Sequence, residues 1–204
     1  GSVNAQRGNN LGIINSDNVS VVNCLFTNAN QTNAGVVNEL NKTKNGKVLF
    51  QSCTFKGAGA HNVRVISYNK GQNIGNSVTF EKCSFENVKS KDILNKEIYG
   101  KMVNIWYRST GNNSNVFLNL NQCYIDSSGI IAVTQNANNL TINNSQILST
   151  IDIIHSPKLN FDPKIKITNN AFNSKASNQN AKNNVLKSSS KIKMYPNYLN
   201  NRSS

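Results

Sequence analysis

The 204 residues include 22 Lys and Arg against 9 Asp and Glu, which gives a formal net charge of +13 at pH 7, and only 15% of the residues are charged. Asn and Ser supply much of the polarity instead of the Glu, Lys and Arg that fill solvated helix faces, so a helical protein is excluded. Val, Ile, Leu and Phe recur in short runs, which argues against a disordered chain, and no run approaches the roughly 18 apolar residues of a membrane span.

An eight-residue pattern repeats along the chain, with the form apolar-x-apolar-x-x-Cys-x-apolar. Four copies contain Cys24, Cys53, Cys83 and Cys123, and two later copies have Ser145 or Asn170 in place of the cysteine. The six copies span residues 19–26, 48–55, 78–85, 118–125, 140–147 and 165–172. Their unequal spacing is typical of a solenoid whose loops vary in length while its strands keep register.

Each copy contains a switch in side-chain direction. Its first two apolar positions alternate with period two, as do its last two, but three steps separate the second from the third. A strand cannot direct both pairs inward across an odd step, so the chain must turn a corner between them. The corner pairs, such as Val22-Asn23 and Asn143-Asn144, are rich in Asn, which tolerates the left-handed backbone conformation. Stacked corner amides are expected to form a hydrogen-bonded ladder.

A further short strand is predicted between successive copies, at 11–14, 35–38, 63–67, 103–107, 131–134 and 151–154. Each repeat therefore contains three strands, and we expect an all-β parallel solenoid of about six coils over residues 1–174. Residues 175–204 have a different, Ser- and Lys-rich composition, and we expect them to form a C-terminal cap and a polar tail.

This three-strand repeat with its two-residue corner resembles the right-handed parallel β-helix of the pectate-lyase and phage-tailspike superfamily. The resemblance covers residues 11 to about 174 and implies that the strands between the copies form the first sheet. It does not imply one function, because that fold hosts lyases, hydrolases, adhesins and passive spikes.

The four cysteines are predicted to stack in one inward column as small buried thiols. Thiols on in-register strands point the same way, which disfavours disulfides, and they do not converge as a tetrahedral zinc site requires. We therefore expect free thiols and no metal.

Ligands of proteins with this fold usually lie along the outside of the first sheet, so candidate binding residues are sought there. With Ile105 aligned to Val65, the predicted outward residues near the middle of that face and at its strand ends are Arg64, Asn104, Trp106, Tyr107, Arg108, Asp152 and His155. Trp106 is the single tryptophan. On an exposed sheet face it would be a natural platform for a sugar ring, and the alternative is that it packs under the neighbouring loop. An insertion at residues 86–101 is long enough to form either a short helix or a protruding wall beside the sheet.

No phosphate loop, nucleophile elbow or dinucleotide fingerprint occurs, and no cofactor is expected. The basic residues are dispersed and mostly Lys, which disfavours a nucleic-acid partner despite the charge. The leading hypothesis is an extracellular glycan-binding module of a surface or virion protein, with an acidic polysaccharide as partner. A polysaccharide lyase or glycoside hydrolase working on the same face and a purely structural spike are the alternatives, and assembly as a homotrimer is compatible with all three.

Overall fold

The computed structural model describes residues 8–14, 16, 18–38, 46–68, 76–109, 117–135, 137 and 139–154, and the short segments 165–168, 171–172, 186–187, 193–194 and 198–199. Most of these residues lie in β-strands. This described part contains no helix, and therefore none that could cross a membrane.

Within the described residues, 21 strands form three parallel sheets, which confirms the predicted all-β parallel solenoid. Sheet A contains β1 (Asn9–Ile14), β4 (Thr32–Asn38), β7 (His61–Ser67), β10 (Val103–Ser109), β13 (Ile130–Gln135), β16 (Ile151–Ile154) and β19 (Leu186–Lys187). Sheet B contains β2 (Val19–Val22), β5 (Lys47–Gln51), β8 (Ser77–Glu81), β11 (Phe117–Asn121), β14 (Leu140–Asn143), β17 (Ile165–Thr168) and β20 (Lys193–Met194). Sheet C contains β3 (Leu25–Thr27), β6 (Thr54–Lys56), β9 (Ser84–Glu86), β12 (Tyr124–Ile125), β15 (Gln146–Ile147), β18 (Ala171–Phe172) and β21 (Tyr198–Leu199).

The core lies between the three sheets, where equivalent apolar residues of successive coils stack on one another. In sheet C, Phe26, Phe55 and Phe85 form a column with ring centroids 5.2 Å apart at each step. Phe50 and Phe80 of sheet B stack at 4.8 Å and meet that column edge-on. The repeated pattern therefore places aromatic rings in register, where both stacked and T-shaped contacts stabilise the interior.

The corner between sheets B and C turns where the repeat predicts. In the five corner pairs that the structure describes in full, the second residue has a positive φ: Asn23 (55°), Ser52 (52°), Lys82 (53°), Gln122 (53°) and Asn144 (49°). This confirms the left-handed corner. Only two of the five are Asn, so the turn is imposed mainly by the strands on either side.

The cysteine column follows this corner and forms hydrogen bonds there. The Cys83 thiol donates to the carbonyl oxygens of Glu81 (3.3 Å) and Phe50 (3.4 Å), and Cys53 and Cys123 make equivalent bonds. All four thiols are free, three are buried, and Cys24 in the first coil is half-buried. In the next coil the Ser145 hydroxyl donates to Asn143 O at 2.8 Å. The position therefore selects a small side chain that can donate a hydrogen bond.

An amide ladder occurs at the corner between sheets C and A, not mainly at the predicted corner. Asn10 donates to Asn33 (3.0 Å), Asn33 to Asn62 (3.0 Å) and Asn62 to Asn104 (2.8 Å) through their side-chain amides. Asn104 continues the ladder by donating to the Asp126 carboxylate at 3.0 Å. Asn33, Asn62 and Asn104 are fully buried, and the ladder satisfies polar groups that would otherwise be stranded at this corner.

One predicted register in sheet A is wrong. Tyr107 pairs with Val65 and Val133, the partners expected for Ile105, whereas Ile105 pairs with Val63 and Ile131. Both side chains are buried in the core. Because Val103, Ile105 and Tyr107 share one parity, alternation cannot distinguish registers that differ by two residues. Trp106 therefore lies beside Arg64, and Asn104 belongs to the ladder instead of the middle of the outer face.

Six strands of each sheet come from the region of the predicted repeats, and β19, β20 and β21 come from the segment expected to form the cap and tail. The boundary at residue 174 stays a prediction.

Candidate functional site

The insertion at residues 86–101 lies over the outer face of sheet A instead of standing beside it. Its Ile98 packs in an apolar cluster with Trp106, Ile66, Val103 and Ala132 from three neighbouring strands. Trp106 is only 1% exposed. Of the two interpretations of Trp106, the structure shows the one in which the indole packs under the neighbouring loop, because the insertion covers it and leaves no exposed platform.

Glu97 anchors the insertion to the sheet. Its carboxylate forms an ion pair with Arg108 (3.2 Å) and accepts hydrogen bonds from the Thr134 hydroxyl (3.1 Å) and the Gln135 amide. The Trp106 indole N–H donates to the Thr134 hydroxyl at 3.0 Å, and the Arg108 guanidinium lies over the Trp106 ring. Arg108, predicted as a ligand-binding residue, is thus held by partners within the chain.

A second anchor is a buried polar chain of Thr32, His61 and Asp92. The Thr32 hydroxyl donates to His61 Nδ1, and His61 Nε2 donates to the Asp92 carboxylate, both at 2.7 Å. Burial lowers the pKa of His61, and Arg64 lowers it further, against the opposing effect of Asp92. The imidazole is therefore neutral at pH 7, in the tautomer that these partners require.

Asp92 is charged despite its burial. Burial alone would raise the pKa of its carboxyl, but hydrogen bonds from His61, Asn95 and Leu94 lower it to about 2. The order Thr, His, Asp resembles a nucleophile with its base and orienting acid. Thr32 and His61 are both 0% exposed, so this chain serves to fasten the insertion instead of attacking a substrate.

The remaining predicted site residues are dispersed. Arg64 is half-buried on the outer face beside Gly35 and Trp106, whereas Asn104 and Tyr107 are buried in the ladder and the core. Burial strongly raises the pKa of the Tyr107 hydroxyl, which keeps it neutral. His155 lies outside the described residues.

Asp152 lines an open cleft between the end of the insertion and the corner of sheets C and A, here called the C-terminal cleft. Its volume is about 490 Å³, and its lining includes Lys101, Ser127, Ile130, Leu148, Thr150 and Asp152. Lys101 Nζ forms an ion pair with the Asp152 carboxylate. The cleft thus combines a cation, a carboxylate and hydroxyls with apolar side chains, a mixture suited to a polyhydroxylated ligand.

A smaller cleft of about 290 Å³ lies at the same corner on the other side of the insertion, here called the N-terminal cleft. Its lining includes Asn30, Gln31, Ser90, Lys91, Ile93 and Leu94. In the part of the chain that the structure describes, no three His, Cys, Asp or Glu side chains come together as a metal-binding group. Comparison with known protein families, curated proteins and solved structures finds no match.

Sequence reasoning missed Glu97 and Asp92 as anchors of the insertion. The available signal was the presence of apolar residues such as Ile98 in the insertion, since a large apolar side chain in a loop needs a surface to pack against. Neither cleft is visible in the repeat pattern, because each is bounded by the insertion, which has no counterpart in other coils.

Proposed function

We propose that this protein is an extracellular glycan-binding module of a surface or virion protein, and that a sugar binds in the C-terminal cleft. The observation that carries the proposal is the chemistry of that cleft. Asp152 is a bidentate acceptor for neighbouring hydroxyls, while Lys101 and the exposed Ser127 hydroxyl are donors. Ile130 and Leu148 offer apolar surface to the carbon face of a ring.

Net charge supports an acidic glycan as the preferred partner. The chain has an excess of 13 positive charges, and Lys91 and Lys96 of the insertion are exposed, with Lys91 on the wall of the N-terminal cleft. Neither lysine has an ion-pair partner among the described residues. Such cationic surface attracts polyanions over about 8 to 10 Å at physiological ionic strength.

The finer classification is also a proposal. Three parallel sheets, a left-handed corner residue in successive coils and stacked interior side chains support a right-handed β-helix of the pectate-lyase and phage-tailspike superfamily. That fold presents equivalent positions about 4.8 Å apart, which suits an extended polymer.

The test is retention of the protein on a panel of immobilised acidic and neutral polysaccharides, with parallel detection of new reducing ends and unsaturated uronates. We expect retention without cleavage, with stronger retention on acidic polymers that declines as salt increases. Asp152→Ala should weaken retention at least about five-fold, since it removes the carboxylate that accepts hydrogen bonds from sugar hydroxyls.

The matched control is Glu81→Ala, which removes a half-buried carboxylate from sheet B, away from the cleft. Equal losses for Asp152→Ala and Glu81→Ala would show that the site is misplaced. Release of products would favour the lyase or hydrolase, and indifference to every polymer would favour the structural spike.

A further inference from the structure

We infer that the N-terminal cleft is a second sugar site, and that it takes a carboxylated sugar residue such as a uronate. It lies on the opposite side of the insertion from the C-terminal cleft, and its lining differs in the balance of charges. Whereas Lys101 of the C-terminal cleft is paired with Asp152, Lys91 of the N-terminal cleft forms no ion pair with any residue that the structure describes.

Gln31 is the residue that marks this cleft as a binding site. It is only 6% exposed, and its main chain is fixed by hydrogen bonds with Gly8, Ala60 and His61. Its side-chain amide forms no hydrogen bond with any described residue, and its polar atoms are not enclosed by protein. A nearly buried amide is therefore held at the wall of the cleft with donor and acceptor capacity unused, which a sugar hydroxyl would satisfy.

Lys91 supplies the charge for the carboxylate. It is exposed on the cleft wall, and the neighbouring Asp92 also lines the cleft. The Asp92 carboxylate is already saturated by the main-chain N–H groups of Leu94 and Asn95 (both 2.8 Å), by the Asn95 side chain (2.5 Å) and by His61 (2.7 Å). Because both Asp92 oxygens already accept hydrogen bonds within the protein, Lys91 is the charged group available to a ligand.

Ile93 and Leu94 complete the cleft with apolar surface. They are 68% and 47% exposed, an unusual position for large aliphatic side chains at the edge of a polar cleft. Packing against the carbon face of a sugar ring would remove this surface from water. The Ser90 hydroxyl donates to Gly59 O and so fixes the adjacent segment of the wall.

The two clefts are separated by a distance that one oligosaccharide can span. Gln31 precedes β4 and Asp152 lies in β16, four strands further along sheet A, which corresponds to about 19 Å at about 4.8 Å per strand. A chain of several sugars could therefore occupy both clefts across the insertion. This bridging rests on the proposed function, whereas binding of a single carboxylated sugar to the N-terminal cleft does not.

The experiment is a titration of the ¹⁵N-labelled protein with free galacturonate, followed by NMR. We expect saturable shifts of the Gln31 side-chain amide and of the backbone amides of residues 90–94, with galactose at least about five-fold weaker. Lys91→Ala should weaken galacturonate binding about five-fold by removing the ionic contact. Gln31→Leu should weaken it by about five- to ten-fold, since it removes a nearly buried amide partner.

The matched control is Lys96→Ala, which removes an exposed lysine of the same insertion that lines neither cleft. Equal weakening by Lys96→Ala and Lys91→Ala, shifts confined to the C-terminal cleft, or the absence of saturable shifts would overturn the inference. If galacturonate binds here while no polysaccharide is retained, this inference holds and the proposed function fails. If polymers are retained equally by wild type, Lys91→Ala and Gln31→Leu, the proposed function holds without the second site.

Discussion

Trp106 and Tyr107 are neighbours in β10, point to opposite faces of sheet A and are both almost fully buried, at 1% and 0% exposure. Tyr107 is buried by the repeat, because Val65 and Val133 stack on either side of it in the core. Trp106 is buried by one segment that occurs once, the insertion with Ile98. Equal burial therefore has two different sources in this protein. The core that buries Tyr107 is periodic and cooperative, whereas the cover over Trp106 is local.

The largest expected effect follows from replacing each of these two rings by Ala. Tyr107→Ala should lower the free energy of unfolding by about 3 to 5 kcal/mol, since it leaves a cavity that neighbouring coils cannot fill. Trp106→Ala should cost about 3 kcal/mol, at the lower end of that range, because the insertion can shift into part of the space. Denaturant unfolding measures both values.

Limited trypsin digestion distinguishes the two sources of burial. In Trp106→Ala we expect early cleavage after Lys91 or Lys96 of the insertion while the coils remain intact, because local opening needs less free energy than global unfolding. In Tyr107→Ala cleavage should follow global unfolding. The core between the three sheets is here called the inner layer, and the insertion with the sheet A residues that it covers is called the outer layer. The same digestion pattern for both variants would contradict this division into a periodic inner layer and a local outer layer.

A smaller effect is expected from acid, through the buried His61. Its pKa is lower folded than unfolded, so the unfolded state binds more protons and stability rises with pH. The contribution of neutral His61 to stability is complete above the pKa of histidine in the unfolded chain, about 6.5, and is lost as the pH falls below that value. Asp92, with a folded pKa of about 2, adds a contribution that is lost only below about pH 4. The groups facing His61 are Thr32, Asp92, Arg64 and Trp106.

Melting temperatures between pH 7.5 and pH 5.0 test this expectation. The melting temperature of the wild type should fall as the pH decreases through this range. His61→Gln should melt at a lower temperature than the wild type at pH 7.5, and its melting temperature should change little between pH 7.5 and pH 5.0. His155→Gln is the matched control, since it removes the other histidine. If His155→Gln removes the pH dependence of the melting temperature and His61→Gln does not, the chain of Thr32, His61 and Asp92 does not govern acid sensitivity.

The smallest expected effect concerns the thiols of the inner layer. Burial raises the pKa of Cys83 to about 12 and that of Cys123 to about 11, so little thiolate forms at pH 8. Labelling with a thiol reagent should be slow at Cys53, Cys83 and Cys123 and faster at half-buried Cys24. Because the insertion lies on the other side of sheet A, Trp106→Ala should leave the three slow rates nearly unchanged. Rapid labelling of Cys83 in that variant would mean that the layers are coupled.

The inner layer could be predicted from the sequence because each coil buries apolar side chains at equivalent positions, which repeat along the chain. Period-two alternation identified the inward residues of sheets B and C, and the odd step before each cysteine located a left-handed corner such as Asn23. Alternation fixes the face of a residue but not its register, and for that reason Tyr107 was placed two residues from its true partner.

The outer layer could not be predicted in the same way. The contacts of Asp92 with His61 and of Glu97 with Thr134 join a single loop to strands far from it in sequence, and no periodicity encodes them. Positive charge and an isolated tryptophan suggested a sugar site on the open sheet. The insertion covers that surface and forms clefts at its two margins instead.

The sheets keep a constant register although the coils differ in length, so the connections between strands can change in length without disturbing the strands. Cys83 and Cys123 are 40 positions apart and Cys123 and Ser145 only 22, yet the strands that flank them pair residue for residue. Lengthening a connection costs little conformational entropy, about 0.6 kcal/mol for each doubling. The corner between sheets C and A is therefore a site where foreign segments can be grafted, and altered specificity can be acquired by exchanging one loop while the stack of coils stays as it is.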